Sequence, residues 1–252
     1  MSGAMNAAEQ VTAKATGPES LSAESRATAA RLAESYRVSP LDMVPNPSPL
    51  LVESTEEVAV PTPNGLFGLR AWRFADGAEH LSARALDRDG NPVPYEGGGA
   101  PAVRIHSECA TGDIFGSFRC DCGPQLENGL RIIGRTGGYL VYVRNHEGRG
   151  IGLVNKLRAY ALQDAGLDTL DANLALGLDG DMRDYSQAAL ILQELGVNEL
   201  RLVTNNPAKQ EALESLGLQV TELIPDEIPA RVENAHYLQT KRERMRHLLE
   251  RA

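Results

Sequence analysis

All three cysteines of the chain, Cys109, Cys120 and Cys122, lie within fourteen residues in the spacing C-x10-C-x-C. Thiolates are soft ligands that suit zinc. Three protein ligands leave the fourth tetrahedral position open to water, which is typical of a catalytic zinc site. His106 is the nearest histidine that could act as a fourth ligand, and a second alternative is that the cysteines are small buried apolar groups that bind no metal. The clustering favours zinc.

A zinc ion held in this way would provide hydrolytic chemistry. It lowers the pKa of bound water from about 16 to about 7, which suits attack on an electron-poor carbon such as C8 of a purine or a formamide carbonyl. Three loops are candidates for phosphate contacts, because exposed backbone N–H groups attract anions. They are "NHEGRGIGL" (145–153), "GLDGDMRDYS" (177–186) and "TNNPAK" (204–209). Each also has an ordinary structural explanation as a loop, a solvated turn or a helix cap, so none identifies a substrate alone.

Composition restricts the class of protein. The chain has 252 residues, of which 42% are apolar, with a net charge of −9 and a pI of about 5.1. This acidic balance argues against a general nucleic-acid-binding protein, whose surface is usually basic. No apolar run approaches the ~20 residues of a membrane span, and the N-terminus lacks the apolar core of a signal peptide. We therefore expect a cytoplasmic protein with reduced cysteines and with neither a nucleic-acid nor a membrane partner.

The chain divides near residue 55. Residues 1–55 are rich in Ala, Ser, Glu and Pro, and their apolar content is too low for a separate core. We expect this segment to be a mobile extension that contains one short helix in "SAESRATAARLAESYR". Residues 56–252 carry the patterns of a folded domain.

The patterns in residues 56–252 predict a mixed α/β (α+β) fold, with a β-rich N-terminal part followed by alternating strands and helices. Strands are expected in "EVAVPTPNGLFGLRAWRF", "AVRIHSE", "YLVYVRN", "ELRLVTNN" and "LQVTELIP". Helices are expected in "GPQLENGLRIIGRTGG", "LVNKLRAYALQDAG", "YSQAALILQELG", "PAKQEALESLG" and the charged tail "NAHYLQTKRERMRHLLERA".

Several unusual strings occur in an order that resembles the GTP cyclohydrolase II family. They are "VRIHSECATGDIFGSFRCDCGPQLE", "EGRGIGLVNKLRAYALQDAGLDTLDAN", "DMRDYS" and "LRLVTNNPAK". The resemblance runs from about Glu57 to Leu249 and implies a GTP cyclohydrolase II-like catalytic domain in residues 56–252. Bifunctional members carry a dihydroxybutanone phosphate synthase domain upstream. The 55 residues that precede the resemblance here are too few for that domain, so we expect a monofunctional enzyme with an N-terminal extension.

The resemblance implies zinc-dependent hydrolysis of GTP as the first step of riboflavin biosynthesis. The imidazole ring is opened, formate and pyrophosphate are released, and the product is 2,5-diamino-6-ribosylamino-4(3H)-pyrimidinone 5′-phosphate. Mg²⁺ is expected with the triphosphate, because a ligand of charge about −4 needs neutralisation. The family further implies a homodimer.

The resemblance also implies residue roles. The three cysteines bind zinc, Asp181 acts as proton acceptor, and Tyr160 is linked to the purine end of the substrate. Arg183 acts at the α-phosphate, either as the nucleophile proposed for the family or as a charge clamp, since a guanidinium normally stays protonated. The residues implied to lie along the nucleotide are Arg104, Ile105, His106, Ser107, Glu108, Gln125, Glu147, Gly148, Arg149, Thr169, Thr204 and Lys209.

Three departures from the family leave alternatives open, and one of them is the N-terminal extension. The usual "RQEGR" is "RNHEGR" here, one residue longer at Asn145 or His146, which could shift Glu147 relative to the base. The early strand "LSARALDRDG" is more polar than usual. One alternative is a paralogous cyclohydrolase that acts on another nucleotide or stops at a formamide product in specialised metabolism. Another is a non-catalytic nucleotide-binding protein, which would be expected to lose a zinc ligand or Asp181.

Overall fold

The computed structural model describes residues 21–36, 38 and 47–248. Eight strands form one sheet within this part of the chain. They are β1 (Leu51–Ser54), β2 (Val58–Thr62), β3 (Gly65–Phe74), β4 (Glu79–Leu86), β5 (Ala102–Ser107), β6 (Gly138–Val143), β7 (Glu199–Val203) and β8 (Gln219–Ile224).

The sheet is mixed and changes character at its centre. Its order is β1-β3-β4-β6-β5-β7-β8. β2 also pairs with the long strand β3, next to the part of β3 that pairs with β1. The pairs of the N-terminal half, including β4 with β6, are antiparallel. The pairs of β5 with β6, β5 with β7 and β7 with β8 are parallel. This arrangement confirms the predicted β-rich front followed by alternating strands and helices.

Eight α-helices accompany the sheet in the described part of the chain. They are α1 (Ala23–Ser35), α2 (Ala110–Asp113), α3 (Cys122–Thr136), α4 (Gly152–Asp164), α5 (Thr169–Ala175), α6 (Ser186–Glu194), α7 (Pro207–Ser215) and α8 (Ala235–Arg244). In the described residues, no helix combines the length and the apolar character that crossing a membrane requires.

Two apolar cores hold the helices against the sheet. Five of the six residues of β5 and five of the six residues of β6 are buried, because both faces of these central strands are covered. On one face, Ile191 of α6 and Leu213 of α7 pack with Ile105 in the larger core. On the other face, Ile133 of α3 packs with Phe67. Successive side chains of β5 therefore point to different layers, and its carboxyl end opens between them.

A third core lies among helices, away from the sheet. Leu162 of α4 and Ala172 of α5 pack there with Ala29 of α1, and Leu32 and Tyr36 lie against the same cluster. Helix α1 starts at the N-cap Ser22, whose hydroxyl accepts from the Ser25 amide, as expected for a serine cap. The helix predicted in the N-terminal segment is therefore present and packed on α4.

Some elements differ from the sequence expectation. The pattern did not indicate α5, which is only seven residues long and too short to show a helical period. The tail helix α8 ends at Arg244, eight residues before the end of the chain. The division at residue 55 and the mobility of residues 1–55 remain predictions, and residues 1–20 and 39–46 lie outside the described part. Strand β1, however, lies within that segment and pairs with β3.

Burying a carboxylate at Ala29 tests whether α1 is docked in solution. Ala29 is 4% exposed in the third core, whereas the neighbouring Ala30 is exposed. Ala29→Glu should lower the free energy of unfolding by about 2 kcal/mol or more, because an unpaired charge loses its hydration. The matched variant Ala30→Glu should change it by less than about 0.5 kcal/mol. Urea denaturation measures both, and equal values for the two variants would contradict the docking of α1.

Candidate active site

A cleft opens at the carboxyl ends of the three parallel strands β5, β6 and β7. It encloses about 1080 Å³, with the open solvent at its mouth included. Ligands of α/β sheets commonly bind at this end of the strands, because the loops that follow neighbouring strands meet there. The loops at 106–122, 144–151 and 204–209 and the helices α4 and α8 form its walls.

The three thiols meet on one wall of the cleft. Cys109 follows β5 and is the N-cap of α2, whereas Cys120 and Cys122 lie at the start of α3. The Sγ atoms of Cys109 and Cys120 are 3.7 Å apart, and all three Sγ atoms lie within 4.8 Å of one another. Tetrahedral zinc with bonds of about 2.3 Å to sulfur requires separations of this size. The donor set therefore fits a zinc ion.

Two glycines allow α2 and α3 to approach closely enough for this cluster. A Cβ atom on Gly112 would lie 3.0 Å from Cys122 Cβ and 3.1 Å from the Sγ atoms of Cys109 and Cys120. A Cβ atom on Gly123 would lie 2.5 Å from the carbonyl oxygen of Gly112. Larger residues at either position would push the thiols apart.

Electrostatics at the thiols favours a bound cation. Hydrogen bonds from Cys120 and Cys122 lower the pKa of Cys109 far below its ordinary value. The same contact with Cys109 raises the pKa of Cys120 to about 11 and raises that of Cys122. One thiolate thus forms at the expense of the other two. Full ionisation of the cluster requires a positive charge among the sulfur atoms.

The histidine considered as a fourth ligand is engaged elsewhere. Nε2 of His106 lies 3.1 Å from the carboxylate of Asp113. That carboxylate also accepts from the Cys109 amide at 2.9 Å and from the Tyr142 hydroxyl at 2.8 Å. Within the described residues, the metal-ligating cluster consists of the cysteines alone. Three protein ligands with an open fourth position are the pattern of catalytic zinc.

The rest of the cleft carries many cations. Lysine and arginine side chains in its lining are Arg104, Arg119, Arg149, Lys156, Arg183, Lys209 and Lys241. Five of them pair with carboxylates, including the buried pairs of Arg104 with Asp226 and of Lys241 with Asp121 at 3.0 and 2.8 Å. Cations concentrated in a concave site attract anionic ligands.

Lys209 is buried and donates to the carbonyl oxygen of Ile105 at 2.8 Å. Burial, with a further contribution from Arg104, lowers the pKa of Lys209 well below its ordinary value. An anion in the cleft would restore its charged form. Lys209 is therefore placed to gain a large interaction from a phosphate group.

Arg183 reaches the cleft, whereas Asp181 does not line it. Both oxygens of the Asp181 carboxylate accept from the Arg183 guanidinium, with Nε to Oδ1 at 2.8 Å. Burial would raise the pKa of Asp181, but the hydrogen bonds and charge of Arg183, together with the charge of Arg149, outweigh burial and the pKa is lowered. Burial would likewise lower the pKa of Arg183, but Tyr185 and Asp181 outweigh it and the pKa is raised. The guanidinium therefore stays protonated.

Tyr160 projects from α4 beside Cys109 and the first turn of α2. Its hydroxyl lies 3.3 Å from Thr111 Oγ1, two residues after Cys109. The guanidinium of Arg119 lies over its ring at 4.7 Å from the centroid, in the range of a cation–π contact. The ring is thus a rigid apolar surface next to the thiols.

The structure brings most of the predicted site residues together. Besides Arg183 and Tyr160, those that line the cleft are Arg104, His106, Ser107, Glu108, Cys109, Cys120, Cys122, Gln125, Glu147, Gly148, Arg149, Thr169, Thr204 and Lys209. The exceptions are Asp181 and Ile105, whose side chain lies in the larger core and whose carbonyl oxygen binds Lys209. The assigned roles of all these residues remain predictions.

The sequence reasoning missed several residues of the lining. They are Arg119, His146, Ile151, Lys156, Ala159, Gln163, Asn173, Asn205, Asn206, Tyr237, Lys241 and His247. Lys156 could have been found, since it is one helical turn before Tyr160. No local pattern indicates that Tyr237, Lys241 and His247 line a cleft, because the sequence of the tail predicts only a charged helix.

A left-handed turn at Asn145 shapes the segment "RNHEGR" that follows β6. Asn145 has φ of 68°, a conformation that asparagine tolerates better than most residues. His146 is then buried, with Nε2 2.8 Å from the carbonyl oxygen of Asp184 and Nδ1 3.1 Å from Ser107 Oγ. Nε2 therefore donates to the carbonyl, and Nδ1 accepts from the Ser107 hydroxyl. The hydrogen bond from His146 to Asp184 thus links the segment that follows β6 to the loop that carries Arg183.

Comparisons with known proteins cover most of the chain. The family model described as GTP cyclohydrolase II matches residues 53–225. Riboflavin biosynthesis protein RibBA of Rhodococcus jostii (strain RHA1) is 51% identical over 198 residues, which are 78% of this chain and 47% of that protein. The protein of the same name from Mycobacterium marinum (strain ATCC BAA-535 / M) is 50% identical over 197 residues, 78% of this chain and 46% of that protein. The chain spans about half the length of these curated relatives.

One solved structure is also similar in part. It is a crystal structure of RibBX, described as a two domain 3,4-dihydroxy-2-butanone 4-phosphate synthase from A. baumannii. The alignment covers 69% of this chain and 40% of that chain, with 19% sequence identity and a TM-score of 0.35. This likeness is too low to support a conclusion about fold or function.

Substitution of Gly123 tests the close approach that forms the thiol cluster. Gly123→Ala should push α2 away from α3, because the new Cβ meets the Gly112 carbonyl. Zinc affinity, measured by chelator competition, should fall by roughly 10- to 100-fold, the range typical of disturbed ligand orientation. Gly99→Ala is the matched control, since a Cβ there meets nothing within 4 Å. Equal affinities for the two variants would contradict this role of the glycine.

Proposed function

The chain belongs to the GTP cyclohydrolase II family, and from that premise we propose that it catalyses zinc-dependent hydrolysis of GTP. The reaction opens the imidazole ring, releases formate and pyrophosphate, and gives 2,5-diamino-6-ribosylamino-4(3H)-pyrimidinone 5′-phosphate. In this proposal it is the first step of riboflavin biosynthesis. The observation that carries the proposal is the position of three mutually close thiols in a cleft lined by cations. One end of the site suits a metal and the other suits a triphosphate.

The thiols provide the metal end of the proposed site. Zinc bound to Cys109, Cys120 and Cys122 would supply a Lewis acid that makes water nucleophilic near neutral pH. Cys109 and Cys120 are almost fully buried, so the reacting carbon would be shielded from bulk water. The Tyr160 hydroxyl contacts Thr111, two residues after Cys109. Its ring would stack against the flat purine, and the base would then lie next to the thiols.

The cations provide the phosphate end. Lys209 is buried and Arg183 is half-buried, and their cationic groups each lie 5.8 Å from the centroid of the Tyr185 ring. A protonated guanidinium holds a phosphate by two parallel hydrogen bonds. We therefore assign Arg183 the role of charge clamp at the α-phosphate in preference to nucleophile. Mg²⁺ would accompany the triphosphate and neutralise part of its charge.

The role of Asp181 as proton acceptor stays part of the proposal. Its carboxylate is bound to Arg183, and this pair would have to open before Asp181 could reach a proton on the substrate. A phosphate that competes for the Arg183 guanidinium offers a physical reason for such opening. The cytoplasmic location and the homodimer likewise belong to the proposal.

Product analysis tests this function directly. The protein is loaded with zinc and incubated with GTP and Mg²⁺, and mass spectrometry identifies the nucleotide products while formate and pyrophosphate are quantified. We expect the deformylated pyrimidine with one formate and one pyrophosphate for each GTP consumed. Cys120→Ser should abolish formate release because a ligand is lost, whereas Ser117→Ala in the same loop should retain it.

Other products would identify the alternatives. A stable formamide would indicate a cyclohydrolase that stops before deformylation, and turnover of UTP in preference to GTP would indicate another nucleotide substrate. GMP with an intact ring as the end product, or unchanged formate release in Cys120→Ser, would contradict the proposed metal-dependent ring opening.

A further inference from the structure

A buried lysine links a metal ligand to a carboxylate on the wall of the cleft. Lys156 of α4 is 8% exposed and Glu147 is 5% exposed. The Lys156 ammonium donates to Cys109 Sγ at 3.1 Å and to Glu147 Oε1 at 2.5 Å. A single cation therefore contacts two groups that carry negative charge when the site is loaded.

Both oxygens of the Glu147 carboxylate accept hydrogen bonds from within the protein. Besides Lys156, Oε1 accepts from the Gly148 amide at 3.1 Å, and Oε2 accepts from the Ala110 amide at 2.6 Å. Ala110 is the first residue of α2 and directly follows the ligand Cys109. Glu147 thus fixes the backbone beside the ligand, whereas Lys156 contacts the ligand's sulfur atom.

These contacts give Glu147 a task beside Cys109, in addition to the position along the nucleotide that the family resemblance implies. Two of its three partners, the Ala110 amide and the Lys156 ammonium, adjoin Cys109. Groups placed in this way orient metal ligands and tune their donor strength. Removal of either member leaves the other as an uncompensated buried charge, so the pair acts as a unit.

We propose that Lys156 and Glu147 are positioning residues that hold Cys109 in its ligating orientation and set the affinity of the thiol cluster for zinc. The N–H···S hydrogen bond from Lys156 withdraws charge from the thiolate, and Glu147 fixes both the ammonium and the start of α2. This inference rests on the proposed function only in that the three thiols bind zinc. It concerns the metal and not the recognition of the nucleotide.

Metal affinity and a cobalt spectrum test the inference without reference to turnover. The variants are Lys156→Met and Glu147→Gln, and the control is Arg135→Met, which removes an exposed cation from α3. Zinc affinity from chelator competition should fall about 10- to 100-fold in both variants and stay at the parent value in the control. In the Co²⁺-loaded protein, the sulfur-to-cobalt charge-transfer band should shift in Lys156→Met.

Two further measurements separate this role from nucleotide binding and from general destabilisation. The double variant Lys156→Met/Glu147→Gln should lose no more zinc affinity than whichever single variant binds zinc more weakly, because the two residues act as one unit. The dissociation constant of Lys156→Met for GTP, measured at saturating zinc, should stay within about threefold of the parent value, since Lys156 is not among the residues implied to lie along the nucleotide. Glu147→Gln preserves the size of the side chain, so it remains informative if Lys156→Met fails to fold.

The opposite pattern would overturn the inference. Unchanged zinc affinity and an unchanged cobalt band, together with weaker GTP binding, would make Lys156 and Glu147 nucleotide contacts. A parent protein that binds no zinc would overturn both the proposed function and the positioning role of Lys156 and Glu147. Normal zinc binding in the parent and in both variants would overturn the positioning role alone.

Discussion

The repulsion among three thiols in one small volume is the constraint on which the rest of the site depends. Sulfur atoms within 4.8 Å of one another cannot all ionise unless a cation lies among them, and the opposed pKa shifts of Cys109 and Cys120 express this conflict. The fold nevertheless forces the contact. Gly112 and Gly123 remove the side chains that would separate α2 from α3, and a buried carboxylate anchors the first amide of α2.

The ion pairs of the cleft extend the same principle. Asp121 lies between two of the cysteines and accepts from Lys241 at 2.8 Å and from Gln125 at 2.7 Å. Gln125 in turn accepts from Arg104, which pairs with Asp226. Buried charges of this kind are costly unless they are paired. The network therefore couples the tail helix α8 and the end of β8 to the loop that carries the thiols.

The part of the fold that could be predicted from the sequence is the part that local patterns specify. Alternation in "AVRIHSE" indicated β5, the apolar run "YLVYVRN" indicated β6, the proline at the first turn of α7 indicated a helix start, and the cysteine spacing indicated a metal. Helical spacing places Lys156 on the same face of α4 as Tyr160, but the depth of its burial could not be predicted, because a lysine on an amphipathic helix usually extends to solvent. Likewise, the sequence does not specify the side-chain conformation of Asp181, which contacts Arg183 and does not line the cleft. The packing of α1 on α4 depends on a surface that only the tertiary structure creates.

X-ray absorption at the zinc edge of the purified protein tests the central claim most directly. The account predicts one zinc per chain with three sulfur neighbours at about 2.3 Å and one oxygen or nitrogen neighbour at about 2.0 Å. The light neighbour should be lost or lengthened when a thiol inhibitor fills the open position. Four sulfur neighbours would indicate a closed structural site, and a shell of oxygen or nitrogen atoms alone would show that the thiols do not hold the metal. Either of these results would contradict the account.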